Sequence, residues 1–163
     1  MTNLVNLLLI EREHNAQWWA VLNELRTNRQ LPEWLTVRTA GTAADHDNYL
    51  AAQCKTNRAI FGTELVLPGD SLQVVGCNEQ ALIDTIEAER DFPLRWWTWL
   101  NEARLRKQLP DWALQMSVGH VPDIERWRST TEAVNLALFG TDYVRGSTTV
   151  AKAGAQRLRA ALT

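Results

Sequence analysis

Apolar residues recur at helical spacing over much of the chain, and this spacing predicts helices. Trp18, Leu22 and Leu25 lie at positions i, i+4 and i+7, and this apolar stripe predicts a helix over residues 16–29. The apolar run at residues 4–10 fits either a helix or a buried strand, because periodicity does not separate the two in short runs. We favour a helix there.

The second half of the chain has a similar pattern of helix signals. Asn78 is a suitable N-cap for a helix over residues 82–90, since its side chain can accept a bond from a free backbone N–H. Asp91 followed by Pro93 predicts the start of another helix, which runs to about Lys107.

Two further pairs of segments follow these helices. Acidic residues near the start and a glycine just past the end predict helices over 44–61 and 122–139. Alternating apolar and polar residues fit strands at 34–40 and 112–118, whereas a proline followed by an acidic residue fits a short helix. Both interpretations stay open.

A β-hairpin is expected in each half. Residues 64–67 and 72–75 are apolar-rich and flank the turn sequence Pro-Gly-Asp-Ser at 68–71. A weaker version of the same order lies at residues 143–150. The fold class predicted from these elements is α+β and mostly helical.

The chain also repeats itself. Residues 1–76, laid over residues 79–154 without a gap, give 22 identities, whereas unrelated sequences give about five. A tandem gene duplication explains a match of this length. We expect a first unit at 1–77, a second at 78–155 and a basic C-terminal tail at 156–163.

Units of about 78 residues have room for only a small core, so the two units are expected to pack as one body. A pseudo-two-fold pair is favoured, and a head-to-tail stack is the alternative. Structural hydrogen bonds are the favoured role of the repeated polar residues, and a repeated binding surface is the alternative. These repeated residues are Asn23/Asn101, Glu24/Glu102, Arg26/Arg104, Gln30/Gln108, Asp45/Asp123, Asn57/Asn135 and Thr63/Thr141.

Composition narrows the function classes. The 163 residues are 45% hydrophobic and 22% charged, which excludes a disordered chain, and the net charge of −2 gives no global attraction to nucleic acid. Of the eight tryptophans, six form three repeated pairs, which suits core packing. Trp99 and Trp127 have no tryptophan at the matching position and are left as candidates for a partner contact.

No catalytic or nucleotide-binding motif is present, so we expect a non-enzymatic protein without a cofactor or a metal site. A small enzyme with an unrecognised site is the least favoured alternative. The three histidines have no matching histidine in the other unit. Cys54 and Cys77 show no metal-ligand spacing, and a reducing, cytoplasmic setting is the default. The apolar run at 4–10 is too short to cross a membrane.

Another protein is therefore the expected partner, because tryptophan and arginine dominate interface hot spots. The predicted partner-binding residues are Trp99, Trp127, Arg104, Arg106, Lys107, Arg126 and Arg128. The alternative is a nucleic-acid-binding regulator that also uses the basic residues Arg145, Lys152, Arg157 and Arg159. The order of helix and ribbon resembles winged-helix domains, but Asp45 and Asp47 at the start of the helix argue against contact with DNA.

Overall fold

The computed structural model describes residues 3–76 and 78–142. Six helices account for 71% of the described residues, and none of these residues lies in a β-strand. The predicted α+β class is therefore wrong, and this part of the chain is helical. None of the helices described is both long and apolar enough to span a membrane.

Two long helices dominate the structure, α1 at Leu4–Thr27 and α4 at Glu79–Leu105. Each begins at an asparagine N-cap, Asn3 or Asn78, whose side-chain oxygen accepts a bond from the backbone N–H three residues later, at 2.8 and 3.0 Å. The N-cap predicted at Asn78 is thus confirmed. The ambiguous run at 4–10 is helical and continues without a break into the predicted helix that follows it.

The helix start predicted around Asp91 and Pro93 is wrong, because Pro93 lies inside α4. A proline in a helix interior costs roughly 3 kcal/mol. Buried side chains flank it on both sides, Ile86 before it and Trp96 and Leu100 after it, all fully buried. Packing on both sides of the proline outweighs this cost and keeps α4 in one piece.

The remaining helices are shorter. After each long helix comes a short one, α2 at Glu33–Thr36 and α5 at Asp111–Gln115, so the helical interpretation of these ambiguous segments is the right one. The predicted helices that follow are confirmed as α3 at Ala43–Phe61 and α6 at Val121–Phe139. Each ends at a glycine in the left-handed conformation, with φ of 75° and 74°.

The helices of the first half pack mainly on helices of the second half. α1 lies against α4 and α6, and α3 lies against α4. Most of the tryptophans pack in or against the larger core, whose fully buried members include Trp18, Leu22, Trp96, Trp97 and Leu100. A smaller core includes Val5, Leu8, Ile60, Leu82, Ile86 and Val134.

The hairpin predicted at 64–75 is absent, although part of its turn is present. The N–H of Asp70 donates to the carbonyl of Leu67 at 3.1 Å, but residues on either side form no strand. Val66 is buried in the smaller core instead, and the N–H of Val75 donates to the end of α3 at Ile60, at 2.7 Å. An isolated two-stranded ribbon is only marginally stable, so these contacts decide the conformation. The second predicted hairpin, at 143–150, lies outside the described residues.

Two glycines allow the chain to pass close to the long helices. Gly41 and Gly119 have φ of 74° and 75°, and a Cβ atom built on them would lie 2.6 Å from the carbonyl oxygen of Leu22 and 2.8 Å from the backbone nitrogen of Asn101. The side chains of Asn23 and Asn101 donate to the carbonyls of these same glycines, at 2.9 and 2.7 Å. The loops before α3 and α6 are thereby fixed against α1 and α4.

Candidate functional site

The centre of the molecule contains two buried ion pairs between α1 and α4. Arg12 donates from Nε and Nη2 to the two carboxylate oxygens of Glu89, at 3.1 and 2.8 Å. Arg90 contacts Glu11 in the same way, at 3.3 and 2.8 Å. All four side chains are almost completely buried. Each pair joins one half of the chain to the other, and each partner lies 78 positions from its counterpart.

Further bonds complete this polar layer. The remaining Nη1 group of Arg12 donates to Asn57, and that of Arg90 donates to Asn135, at 2.7 and 2.8 Å. Burial lowers the pKa of Arg12, but the ion pair and hydrogen bond with Glu89 outweigh burial and raise the pKa overall. Both arginines therefore stay charged inside the protein, and the layer joins the two halves of the chain.

Two tryptophans are held by carboxylates from the opposite half. The indole N–H of Trp18 donates to Asp123 at 2.6 Å, and that of Trp96 donates to Asp45 at 2.7 Å. Both carboxylates lie in the first turn of a helix, where a negative charge is favourable. The repeated acidic residues at these two positions therefore have a structural role.

A second pair of tryptophans, one on α2 and one on α5, is bonded to glutamines of the opposite half. The indole N–H of Trp34 donates to Gln108 at 2.8 Å, and that of Trp112 donates to Gln30 at 2.9 Å. The guanidinium of Arg106 lies 4.7 Å from the centre of the Trp34 ring. We call residues 24–38 and 102–116 the tryptophan end, because these bonds bring the two segments together.

Large apolar side chains of the tryptophan end are exposed to solvent. Val37 is 71% exposed, Leu105 68% and Met116 55%. Arg38 also lies over the Trp34 ring, at 5.5 Å, and binds the carbonyl of that residue. Apolar side chains next to arginine and tryptophan are the residue types that dominate protein–protein interfaces.

The tryptophan end also has its own charge. It carries six basic and four acidic residues, a net charge of +2. The other described residues carry seven basic and fifteen acidic side chains, a net charge of −8. The basic residues of this end are Arg26, Arg29, Arg38, Arg104, Arg106 and Lys107. The described part of the chain is therefore electrostatically polarised, with a positive tryptophan end and an acidic remainder.

The structure places only some of the predicted partner-binding residues at the tryptophan end. Arg106 and Lys107 are exposed at the tryptophan end, and Arg104 is half-buried there. Trp99 is half-buried against the larger core, with the guanidinium of Arg95 6.0 Å from its ring centre.

Trp127, a predicted partner-binding residue, lies in the core. It is only 3% exposed and packs edge-on against Trp18, with ring centres 5.8 Å apart, so it cannot contact a partner. Its matching residue is Tyr49, which packs edge-on against Trp96 at 5.1 Å. Position 127 is thus an aromatic core position in both halves, and the burial of Trp127 does not fit the predicted partner contact.

The other predicted residues lie away from this end. Arg126 and Arg128 are exposed on α6, where Arg128 pairs with Glu132 at 3.0 Å. Arg145, Lys152, Arg157 and Arg159 lie outside the described residues.

No protein-family model, curated protein or solved structure matches this chain. Within the described residues, no group of three or more histidine, cysteine, aspartate or glutamate side chains is arranged to hold a metal ion.

Sequence reasoning missed the contacts that build the tryptophan end. Trp34 and Gln30 are identical to their counterparts in the other half, but the sequence pattern alone did not indicate that their bonds run to the opposite half of the chain. The signal was present, because both members of each bonded pair, Trp34 with Gln108 and Trp112 with Gln30, are identical in the two halves. A residue that is identical in both halves together with its bonding partner points to a contact between the halves.

Proposed function

We propose that this protein is a non-enzymatic module that binds another protein through the tryptophan end. The observation that carries the proposal is the combination, on one end, of a net charge of +2 with exposed Val37, Leu105 and Met116. Charge complementarity with this end favours a partner that presents an acidic surface. The apolar side chains supply area that a partner can remove from water.

The two orienting bonds of Trp34 and Trp112 support this assignment. A tryptophan whose ring is fixed before binding loses little conformational entropy when a partner covers it. Arg106 is also held over the Trp34 ring before binding. The surface is therefore pre-organised for a contact.

We further propose that the module is the product of an internal duplication and has a pseudo-two-fold arrangement. Support comes from contacts that occur in reciprocal pairs, each residue of one half bonding the counterpart of its own partner. A reciprocal contact of this kind is the mark of an isologous interface, whereas a head-to-tail stack has unlike contact surfaces. The ion pairs of Arg12 and Arg90 follow this rule.

Affinity capture with matched surface variants tests the binding proposal. Leu105→Asp places a carboxylate at the tryptophan end, and Leu136→Asp places one on α6, where Leu136 is similarly exposed. We expect Leu105→Asp to abolish capture of a specific partner and Leu136→Asp to leave it unchanged. Equal capture by both variants and by the wild type would place the binding surface elsewhere.

A nucleic-acid-binding function is the second candidate, since the tryptophan end is basic and four more basic residues follow position 142. Fluorescence anisotropy with duplex and single-stranded DNA and with RNA separates the two functions. Nucleic-acid affinity should fall steeply between 50 and 200 mM salt, by a slope of about one per phosphate neutralised. Absence of binding at low salt excludes this candidate.

A further inference from the structure

A groove lies between α1 and the beginning of α6, on a different part of the molecule from the tryptophan end. It has a volume of about 270 Å³ and is lined by Glu13, His14, Gln17, Asp123 and Arg126. All five side chains are polar, and they include two carboxylates and one guanidinium.

Asp123 is the fixed element of this groove. Its Oδ2 atom accepts the indole N–H of Trp18 at 2.6 Å, and the residue is only 7% exposed. Its Oδ1 atom lies 3.6 Å from Nη2 of Arg126, which is beyond hydrogen-bond distance. The Asp123 carboxylate is therefore held in place through its Oδ2 atom, while its Oδ1 atom retains capacity to accept a bond from a ligand.

The matching position in the other half shows that the groove is not required by the fold. There Phe92 replaces His14 and Arg95 replaces Gln17. Phe92 packs against Tyr49, with ring centres 6.0 Å apart, and Arg95 lies 4.7 Å above the Phe92 ring. Arg95 also pairs with Asp91 at 3.3 Å. The side chains at this matching position are thus in contact with one another.

In the groove, His14 contacts the Trp18 ring, with ring centres 6.1 Å apart, but the other two corresponding side chains are not occupied in this way. Glu13 and Gln17 make no side-chain hydrogen bond or ion pair within the described part of the chain, and Glu13 is exposed. Burial lowers the pKa of His14, which keeps its imidazole neutral at pH 8. The groove then carries two negative charges and one positive charge.

We propose that this groove binds a free amino acid, with the ammonium group at Glu13 and Asp123 and the carboxylate at Arg126. Arginine binds a carboxylate through paired N–H donors, and carboxylates accept from an ammonium group. Because the groove has an excess of negative charge, an amino acid with a second cationic group is preferred. The site is independent of the protein-binding surface proposed above.

Calorimetric titration of the full chain at pH 8, in a buffer free of primary amines, tests the proposal. The probes are L-lysine, cadaverine, which lacks the carboxylate, and glutarate, which lacks the ammonium group. L-lysine should bind most tightly. In Arg126→Gln its affinity should fall by about fivefold, while that of cadaverine stays the same or rises. In Glu13→Gln both affinities should fall.

Two further variants distinguish a loss of binding from a loss of folding. His14→Phe introduces the residue found at position 92, fills the groove and should abolish binding, while thermal unfolding remains cooperative. Arg95→Gln changes the matching position and should leave binding unchanged. The proposal is overturned if L-lysine shows no saturable binding, or if Arg126→Gln binds it as tightly as the wild type.

Discussion

At the scale of single residues, the most consequential side chains are the buried charges at the centre of the molecule. Arg12 and Glu89 are a bidentate pair, and Arg90 and Glu11 form the second. A buried ion pair is costly to desolvate, so its retention adds little net stability. Removing one partner is different, because the other charge is then left buried without compensation.

Arg12→Leu should lower the free energy of unfolding by about 3–5 kcal/mol, since it leaves the Glu89 carboxylate unpaired. Arg128→Leu is the matched control, because its pair with Glu132 is exposed and should contribute less than about 1 kcal/mol. Urea unfolding followed by circular dichroism measures both. Equal losses in the two variants would mean that the central pair is no more important than a surface pair.

His14 should make the free energy of unfolding depend measurably on pH. Burial lowers its folded-state pKa below the usual 6.5, with Asp123, Glu13 and Glu11 raising it and Arg126 lowering it. As pH falls through about 6.5, His14 takes up a proton in the unfolded chain before it does so in the folded protein. The contribution of neutral His14 to the free energy of unfolding, which is present above that pH, is therefore lost.

The free energy of unfolding of the wild type should therefore fall more between pH 7 and pH 5 than that of His14→Phe. The difference between the two proteins isolates His14 from the other two histidines. An NMR titration that gives His14 a pKa of 6.5 or higher would contradict this expectation.

At the scale of elements, local signals in the sequence predicted where most helices lie. Asn78 as an N-cap and the glycines after α3 and α6 act within one turn of the chain, so short patterns reveal them. Short patterns do not predict that Pro93 lies inside α4 or that residues 64–75 form no hairpin. Both depend on burial against distant residues, such as the packing of Val66 in the smaller core.

The same limit applies to the candidate sites. The exposure of Arg106 and Lys107 fits the sequence prediction, because a cluster of basic residues is visible in the sequence. Trp127 was misplaced because exposure depends on neighbours such as Trp18, which lies more than a hundred positions away. The groove at His14 joins two helices from different halves, and no local pattern brings them together.

Gly119→Ala should be strongly destabilising, because the new Cβ would lie 2.8 Å from the backbone of α4. Gly140→Ala is the matched control, since it has nearly the same positive φ but nothing within 4 Å of the new Cβ. The control should cost about 1–2 kcal/mol, the usual penalty for the left-handed conformation. Thermal unfolding should show a clearly larger loss for Gly119→Ala, and similar losses would mean that the loop is not tightly packed.

At the scale of the whole molecule, the two halves are interlocked rather than separate. α1 has its main helix contacts with α4 and α6, and α3 has its main contact with α4. The bonds of Trp18 and Trp96 also cross from one half to the other. Neither half retains its core if the other unfolds.

Unfolding should therefore occur in one cooperative step. Tryptophan fluorescence and far-ultraviolet circular dichroism should give the same midpoint in guanidinium chloride, because all helices lose their partners together. Two separated transitions would show that the halves are independent domains.

The crossed ion pairs have a consequence for synthesis on the ribosome. When α1 leaves the exit tunnel, Glu11 and Arg12 still lack Arg90 and Glu89, which are more than seventy residues away. Burial of either charge before its partner arrives is unfavourable. The amino-terminal half must therefore wait, with its apolar faces uncovered, until α4 has been translated, and this interval exposes the nascent chain to aggregation and makes it a substrate for chaperones.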